Sequence, residues 1–289
     1  MARLGYVGLG IMGGPMARHL ATAKHSMTVY NRTTAKSDAW VEQHGGARAL
    51  TPREVAEASD VVLMCVGNDD DVRSVVFGAD GILAGLKTGG ILVDHTTASA
   101  TIAREIAGAC AKQGCGFVDA PVSGGQAGAE NGQLTIMCGS NDPATFDAIE
   151  SIIAAYAKRS KLLGTAGSGQ LAKMVNQICI AGIAQGLSEA LNFAMRAGLD
   201  PDDVVDVISK GAAQSWQMEN RAKTMVRNEF EFGFAVEWMR KDLGICFDEA
   251  SRNGAQLPMT KMVDKFYEEV VAMGGKRWDT SSLIARLTD

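Results

Sequence analysis

The stretch between residues 4 and 30 narrows the choice of fold more than any other part of the chain. An apolar run at 4–8 leads into Gly8-Leu9-Gly10-Ile11-Met12-Gly13, and a helical pattern over 12–23 follows without a break. Glycines at this spacing allow a tight turn, close approach of another group to the backbone, and close packing of the helix on the strand it left. The helix start offers unpaired N–H groups and a positive dipole end, which together seat a phosphate. A second apolar run at 27–30 completes a strand–helix–strand unit, so a dinucleotide site is expected. The alternation continues. Strands are predicted at 61–66 and 91–94, and Thr51-Pro52-Arg53-Glu54 reads as a capping box opening a short helix. A helix at 101–112 is stopped by Gly114, and strands near 134–138 and 162–163 flank a helix at 142–155. Such β–α alternation implies a parallel sheet with helices on both faces.

Past Gly164 the strand patterns stop. Residues 169–197 contain no proline, and one helix of ~40 Å fits them. Further helices are expected from Asp200-Pro201 and near Trp216, Val236 and Met259. The fold class expected is therefore α/β: an N-terminal Rossmann-type dinucleotide-binding domain (1–163), then an all-α C-terminal domain (164–289) joined by a long helix. That helix is apolar nearly all round in its middle, which predicts a homodimer or homotetramer. Lys173 and Asn176, three apart near its start, share one face.

Bulk properties exclude several classes. The 289 residues suffice for two domains, and 46% apolar with 21% charged residues is a globular composition. A net charge of −5 without a basic block argues against nucleic acid as a partner. The chain enters a strand pattern at once, leaving no room for a signal peptide, and no apolar run approaches membrane-spanning length. A cytoplasmic location with no membrane partner is expected. Six cysteines without a CxxC read as free thiols, and no metal site is expected.

The end of the second strand bears on cofactor choice. An NAD site usually holds a carboxylate there for the ribose hydroxyls. This chain has Asn31-Arg32-Thr33 instead. A guanidinium pairs well with a 2′-phosphate, so NADP is the expected cofactor, with NAD at lower preference.

Four segments, taken together, resemble the signatures of the β-hydroxyacid dehydrogenases: Gly8 to Ala17, Asp119-Ala-Pro-Val-Ser-Gly-Gly125, Gly167-Ser-Gly-Gln-Leu-Ala-Lys173-Met-Val-Asn176, and Lys241-Asp242-Leu243. They occur in the family's order and at its spacing. The family includes 3-hydroxyisobutyrate dehydrogenases, tartronate semialdehyde reductases and glyoxylate/succinic semialdehyde reductases. The resemblance implies that Gly8, Leu9, Gly10, Ile11, Met12 and Gly13 hold the pyrophosphate, and that Asn31, Arg32 and Thr33 meet the adenosine ribose. Val66 and Thr97 would line the path to the nicotinamide, with Lys241 beside the cofactor. Ser123, Gly124 and Gly125 would hold the carboxylate of a small substrate, Lys173 would be the acid/base, and Asn176 would orient substrate and lysine. The implied activity is hydride transfer between nicotinamide and a small 3-hydroxy acid or aldehyde acid.

Other readings stand beside this one. An imine reductase-like enzyme shares the architecture but generally lacks a lysine at position 173, and a non-catalytic NADP-binding module would not need Lys173 and Asn176. His95, beside Thr96-Thr97, is a rival acid/base. His19, His25 and His44 read as helix and loop surface. Phe230, Phe232, Phe234 and Trp238 read mostly as core. Cys65-Val66, Ala98-Ser99 and the lack of a proline before Gly233 depart from the family pattern and leave the substrate open.

Overall fold

The computed structural model describes residues 1–288. By its contacts the chain divides into two units, Met1–Lys173 and Met174–Asp289. In the first, strands β1 (Arg3–Val7), β2 (Ser26–Tyr30), β3 (Ala47–Arg48), β4 (Val61–Met64), β5 (Ile91–Asp94) and β6 (Gly116–Asp119) form one sheet in the order β3-β2-β1-β4-β5-β6. Every pairing in it is parallel. Between the strands run helices α1 (Gly13–Thr22), α2 (Thr34–His44), α3 (Pro52–Glu57), α4 (Asp69–Val76), α5 (Ile82–Gly85) and α6 (Ala100–Lys112). Strand order reverses between β1 and β4, which is where an open sheet of this type takes its ligand.

Side-chain alternation builds the two faces. Leu4 and Tyr6 of β1 and Val61 and Leu63 of β4 enter one core cluster. Their neighbours Val7, Val62 and Met64 enter the opposite one with Val55, Ile102 and Ile106. Strands buried on both faces explain why these segments are continuous apolar runs.

After β6 the chain adds β7 (Val122–Ser123), α7 (Gly125–Glu130), β8 (Leu134–Cys138), α8 (Pro143–Ile153) and β9 (Ala157–Leu162), whose strands make a smaller sheet β7-β8-β9. A bridge between Asp119 and Gly139 ties it to the end of β6. β9 lies at an edge, and its exposed Lys158, Arg159 and Lys161 discourage pairing with another strand.

Helix α9 (Ser168–Arg196) carries the chain from the first unit into the second. The division by contacts falls ten residues past the boundary expected at 163/164, and the start of α9 is bonded to Asp119 of the first unit. The second unit adds α10 (Pro201–Ile208), α11 (Trp216–Val226), α12 (Val236–Asn253), α13 (Pro258–Ala272) and α14 (Ala285–Thr288). Ala181 and Ala184 of α9 pack with Val236, Met239 and Tyr267, and Leu187 and Leu191 pack with Met218 and Met225.

One expectation fails here. α9 is long and apolar enough to cross a membrane by length and composition, with mean hydropathy 1.3 in its most apolar window. The amides Asn176, Gln177 and Gln185 interrupt a strictly apolar run but add no charge, and the apolar residues around them keep the average high. Two core clusters nonetheless follow one another along its inner face, and Gln177 bonds a carboxylate of α12, as in the central helix of a globular unit.

The aromatic residues divide. Phe230 is buried and Phe234 packs on the core, but Phe232 and Trp238 are exposed by more than a third. All six cysteines are free thiols, and four of them are buried.

Candidate dinucleotide and substrate site

The glycine loop after β1 is shaped by steric need at its two ends. Gly8 has φ +93°, and a Cβ on it would lie 2.3 Å from the Cys65 carbonyl oxygen. On Gly13 a Cβ would lie 1.9 Å from the Gly8 carbonyl oxygen, so helix and strand meet here only through hydrogen. Gly10 differs: nothing lies within 4 Å of the place its Cβ would take. That open space is a cradle which a side chain would fill, and no side chain caps the start of α1. A pyrophosphate fits this arrangement, since bare N–H groups and the helix dipole point into room left for it.

The other residues expected at the cofactor follow the C-terminal ends of the same sheet. The Asn31 side chain is turned into the loop, where its Oδ1 accepts from Leu9 N at 3.0 Å and its Nδ2 donates to Thr33 O at 3.1 Å. Arg32 is exposed and pairs with Asp71, and Thr33 stands at the start of α2. Val66, past β4, donates its N–H to Thr96 Oγ1 at 3.0 Å, which ties the loop after β4 to the one after β5. Leu9 is buried, while Ile11 is 56% exposed at the tip of the glycine loop.

Asp119 governs the start of α9. Its Oδ1 accepts from Gly167 N at 2.7 Å and its Oδ2 from Gln170 N at 3.0 Å. A Cβ on Gly139 would lie 2.5 Å from this carboxylate, and one on Gly169 would lie 2.9 Å from it. The glycines of this turn therefore admit the chain's own anion to the helix end. Burial pushes the Asp119 carboxyl up to about 6 even though these N–H donors pull it down. The Gln170 side chain extends the clamp, with Oε1 accepting from Ala98 N at 3.0 Å and Nε2 donating to Thr96 O at 2.8 Å. Lys173, buried, sits one turn further along the same helix. Thr97 thus lies between two residues fastened to the helix that carries Lys173.

Ser123 ends β7, and Gly124 and Gly125 have φ +134° and +61°. The Gly125 Cβ position is open, whereas Gly124 packs on Leu134. In the second unit, Asn176 Nδ2 donates to Gln177 Oε1 at 2.7 Å, and Gln177 Nε2 donates to Asp242 Oδ2 at 2.7 Å. Lys241 Nζ lies 2.9 Å from Asp242 Oδ1. Asn176, expected at the substrate, and Lys241, expected beside the cofactor, are therefore joined through buried Gln177 and Asp242.

His95 is no acid/base. Its Nδ1 lies 2.7 Å from Ala120 O, which can only accept, so Nδ1 carries the proton and Nε2 accepts from Tyr156 Oη at 2.8 Å. Burial lowers its pKa to about 4, and both nitrogens are committed to the core. His19 is half-buried rather than on the surface, with Nε2 3.0 Å from the carbonyl oxygen of Ala129 near the end of α7. Reading the sequence alone missed Asp119, Gln170, Asp242 and Asp71 as organisers. Asp119, Gln170 and Asp242 lie within the motifs given above, but their partners are distant in sequence.

Comparison with known proteins fits this geometry. Residues 3–167 match the pattern described as the NAD binding domain of 6-phosphogluconate dehydrogenase. Residues 167–287 match that of the NAD-binding of NADP-dependent 3-hydroxyisobutyrate dehydrogenase. The chain is 61% identical over 287 residues to an uncharacterized oxidoreductase of Shewanella frigidimarina, covering 99% of this chain and 98% of that one. It is 40% identical to a probable 3-hydroxyisobutyrate dehydrogenase-like protein of Arabidopsis thaliana, covering 99% and 85%. The solved structure of a Mycobacterium tuberculosis 3-hydroxyisobutyrate dehydrogenase with L-serine superposes with TM-score 0.90 at 28% identity, over the whole of both chains. A Rossmann unit with an open glycine loop, a helix pinned to the sheet one turn before a buried lysine, and these likenesses lead to one assignment: the chain is an oxidoreductase with a nicotinamide cofactor and belongs to the β-hydroxyacid dehydrogenase family.

Proposed function

We propose that this chain is an NADP-preferring dehydrogenase or reductase acting on a small 3-hydroxy acid or aldehyde acid, with Lys173 as the acid/base. Bound nicotinamide supplies or takes up the hydride. Lys173 Nζ serves the proton side: as an ammonium it donates to the carbonyl oxygen in reduction, and as an amine it accepts from the hydroxyl in oxidation. Asn176, one turn on, orients lysine and substrate oxygen. The substrate carboxylate rests at Ser123–Gly125, where open space at Gly125 leaves backbone donors accessible to a compact anion. Arg32 meets the 2′-phosphate, and Gly8–Gly13 and Val66 hold the rest of the dinucleotide.

The observation that carries this reading is the placing of Lys173. It is buried, it follows a helix end fixed by a carboxylate, and it shares a unit with the glycine loop. Lys173→Ala should lower kcat by ~10² or more, the usual weight of a positioned acid/base, with NADP affinity and thermal stability little changed. Lys173→Arg should also fail, because a guanidinium keeps its proton. Near-normal kcat in the alanine variant at saturating substrates would overturn the role.

The assembly we propose is a homodimer or homotetramer. Val175 and Phe193, 63% and 73% exposed, lie five turns apart on α9, so they share a side with exposed Cys179 and Ile183. A second copy of the chain is the occupant that would cover this stripe. Phe193→Glu should shift light-scattering mass toward the monomer, and a monomeric wild type would refute the assembly.

A further inference from the structure

Arg32 follows β2, whereas Asp71 lies in the first turn of α4, beyond β4. β1 stands between those strands, so any contact joining the two residues crosses above the loop that leaves β1. Arg32 Nη1 lies 3.2 Å from Asp71 Oδ1. The two partners are held very differently. Asp71 is anchored by its backbone, with its N–H donating to Asn68 Oδ1 at 2.9 Å and its carbonyl accepting from Ser74 Oγ at 2.8 Å. The Arg32 side chain is 87% exposed and reaches across to it, against 32% exposure for Asp71. Of the carboxylates in this turn, Asp71 pairs with Arg32, whereas Asp69 accepts from Ser99 N at 2.9 Å.

We propose that Asp71 is a specificity-determining residue for the dinucleotide. In the free protein its carboxylate occupies the Arg32 guanidinium, and it competes there with the 2′-phosphate of NADP. This rests on the reading that Arg32 meets that phosphate. An exposed ion pair is weak, so the guanidinium is readily surrendered to an anion with more charge and more acceptor oxygens. The exchange still has a cost, and the carboxylate left beside the site repels the incoming phosphate. NAD bears a hydroxyl at that position and meets neither penalty. Asp71 therefore narrows the preference for NADP over NAD without contributing to the reaction itself.

The test is the dissociation constants of NADP and NAD with the wild type, Asp71→Asn, Arg32→Gln and the double variant, by fluorescence titration without substrate. Asp71→Asn should tighten NADP about three- to tenfold, leave NAD within about twofold, and lose part of its gain at high salt. On the Arg32→Gln background the gain should shrink to the part that comes from direct repulsion between Asp71 and the phosphate. Unchanged or weaker NADP binding in Asp71→Asn, or equal tightening of both dinucleotides, overturns the proposal. Should Arg32→Gln abolish the NADP preference while Asp71→Asn does nothing, only the role of Asp71 is lost. An unchanged ratio in Arg32→Gln instead removes the assignment of Arg32, and the proposal with it. The pair is exposed, so thermal melting of both variants should stay near wild type, which keeps folding out of the comparison.

Discussion

Helices α1 and α9 both leave a glycine turn, and the two turns use their glycines in opposite ways. At α1 the outer glycines are packed against backbone, the middle one faces open space, and no side chain caps the helix. At α9, Gly139 and Gly169 are packed around Asp119, which accepts from Gly167 N and Gln170 N. One helix end leaves its donors without a side-chain cap and the space before them open. The other spends them on an anion of the chain. Glycine alone shows only that something approaches the backbone; whether the space beyond it is filled separates a ligand loop from a structural joint.

Substitutions within the first loop break the comparison most sharply. Gly13→Val should destabilise the protein by ~3 kcal/mol or more, because a branched side chain is driven into the Gly8 carbonyl with no soft neighbour to yield. Gly10→Ala, three residues earlier, should alter stability by less than ~0.5 kcal/mol, since its methyl meets nothing. It should still weaken dinucleotide binding about tenfold, by standing where the pyrophosphate approaches. Urea unfolding and cofactor titration of both variants check the pair. Equal binding by Gly10→Ala would mean that the open space is not the phosphate cradle.

Asp119→Asn probes the second helix end. The amide keeps one acceptor and turns a donor toward a backbone N–H, at a cost of about 2–4 kcal/mol. Lys173 lies on the same helix one turn beyond Gln170, so kcat should fall further than KM changes. A stability loss with unchanged kcat would make Asp119 a fastening with no bearing on the lysine.

The contrast between these two ends also marks what could be read from sequence. The α1 loop was legible because its strand, glycines and helix are contiguous. Thr51 and Glu54 were legible for the same reason, although Glu54 Oε2 accepts from Leu50 N rather than from the capping residue. The α9 joint was not, since Asp119 meets Gly167 and Gln170 across about fifty residues of intervening chain. His95 was ambiguous for want of Tyr156, whose hydroxyl commits its second nitrogen. Asn31 reads as a ribose residue by its place after β2, while the bond its Oδ1 accepts from Leu9 N appears only in the fold. β3, two residues long, carries no periodic signal to detect.

The smallest expected effect separates Asp119 from its register partner on β5, Asp94. Asp94 Oδ1 accepts from Thr96 N at 2.8 Å, but its buried Oδ2 has no hydrogen-bond partner among the described residues. Burial pushes this carboxyl up to about 7, with hydrogen bonds from Thr96 opposing and the charge of Asp119 adding to the rise. A carboxyl whose folded value lies above its unfolded one binds its proton more tightly in the folded state. Its contribution to stability is therefore present at low pH and lost as pH rises through about 7. His95 runs the other way, because its folded value near 4 favours the folded state as pH rises toward 6.5. The wild-type profile mixes these slopes, and Asp94→Asn removes only the first. Asparagine keeps the acceptor for Thr96 N and has no charge to bury. The melting temperature of Asp94→Asn relative to wild type should accordingly rise from pH 5 to pH 8, by a few degrees. A difference that stays flat across that range would mean that Asp94 is already neutral, or is charged at no cost, throughout.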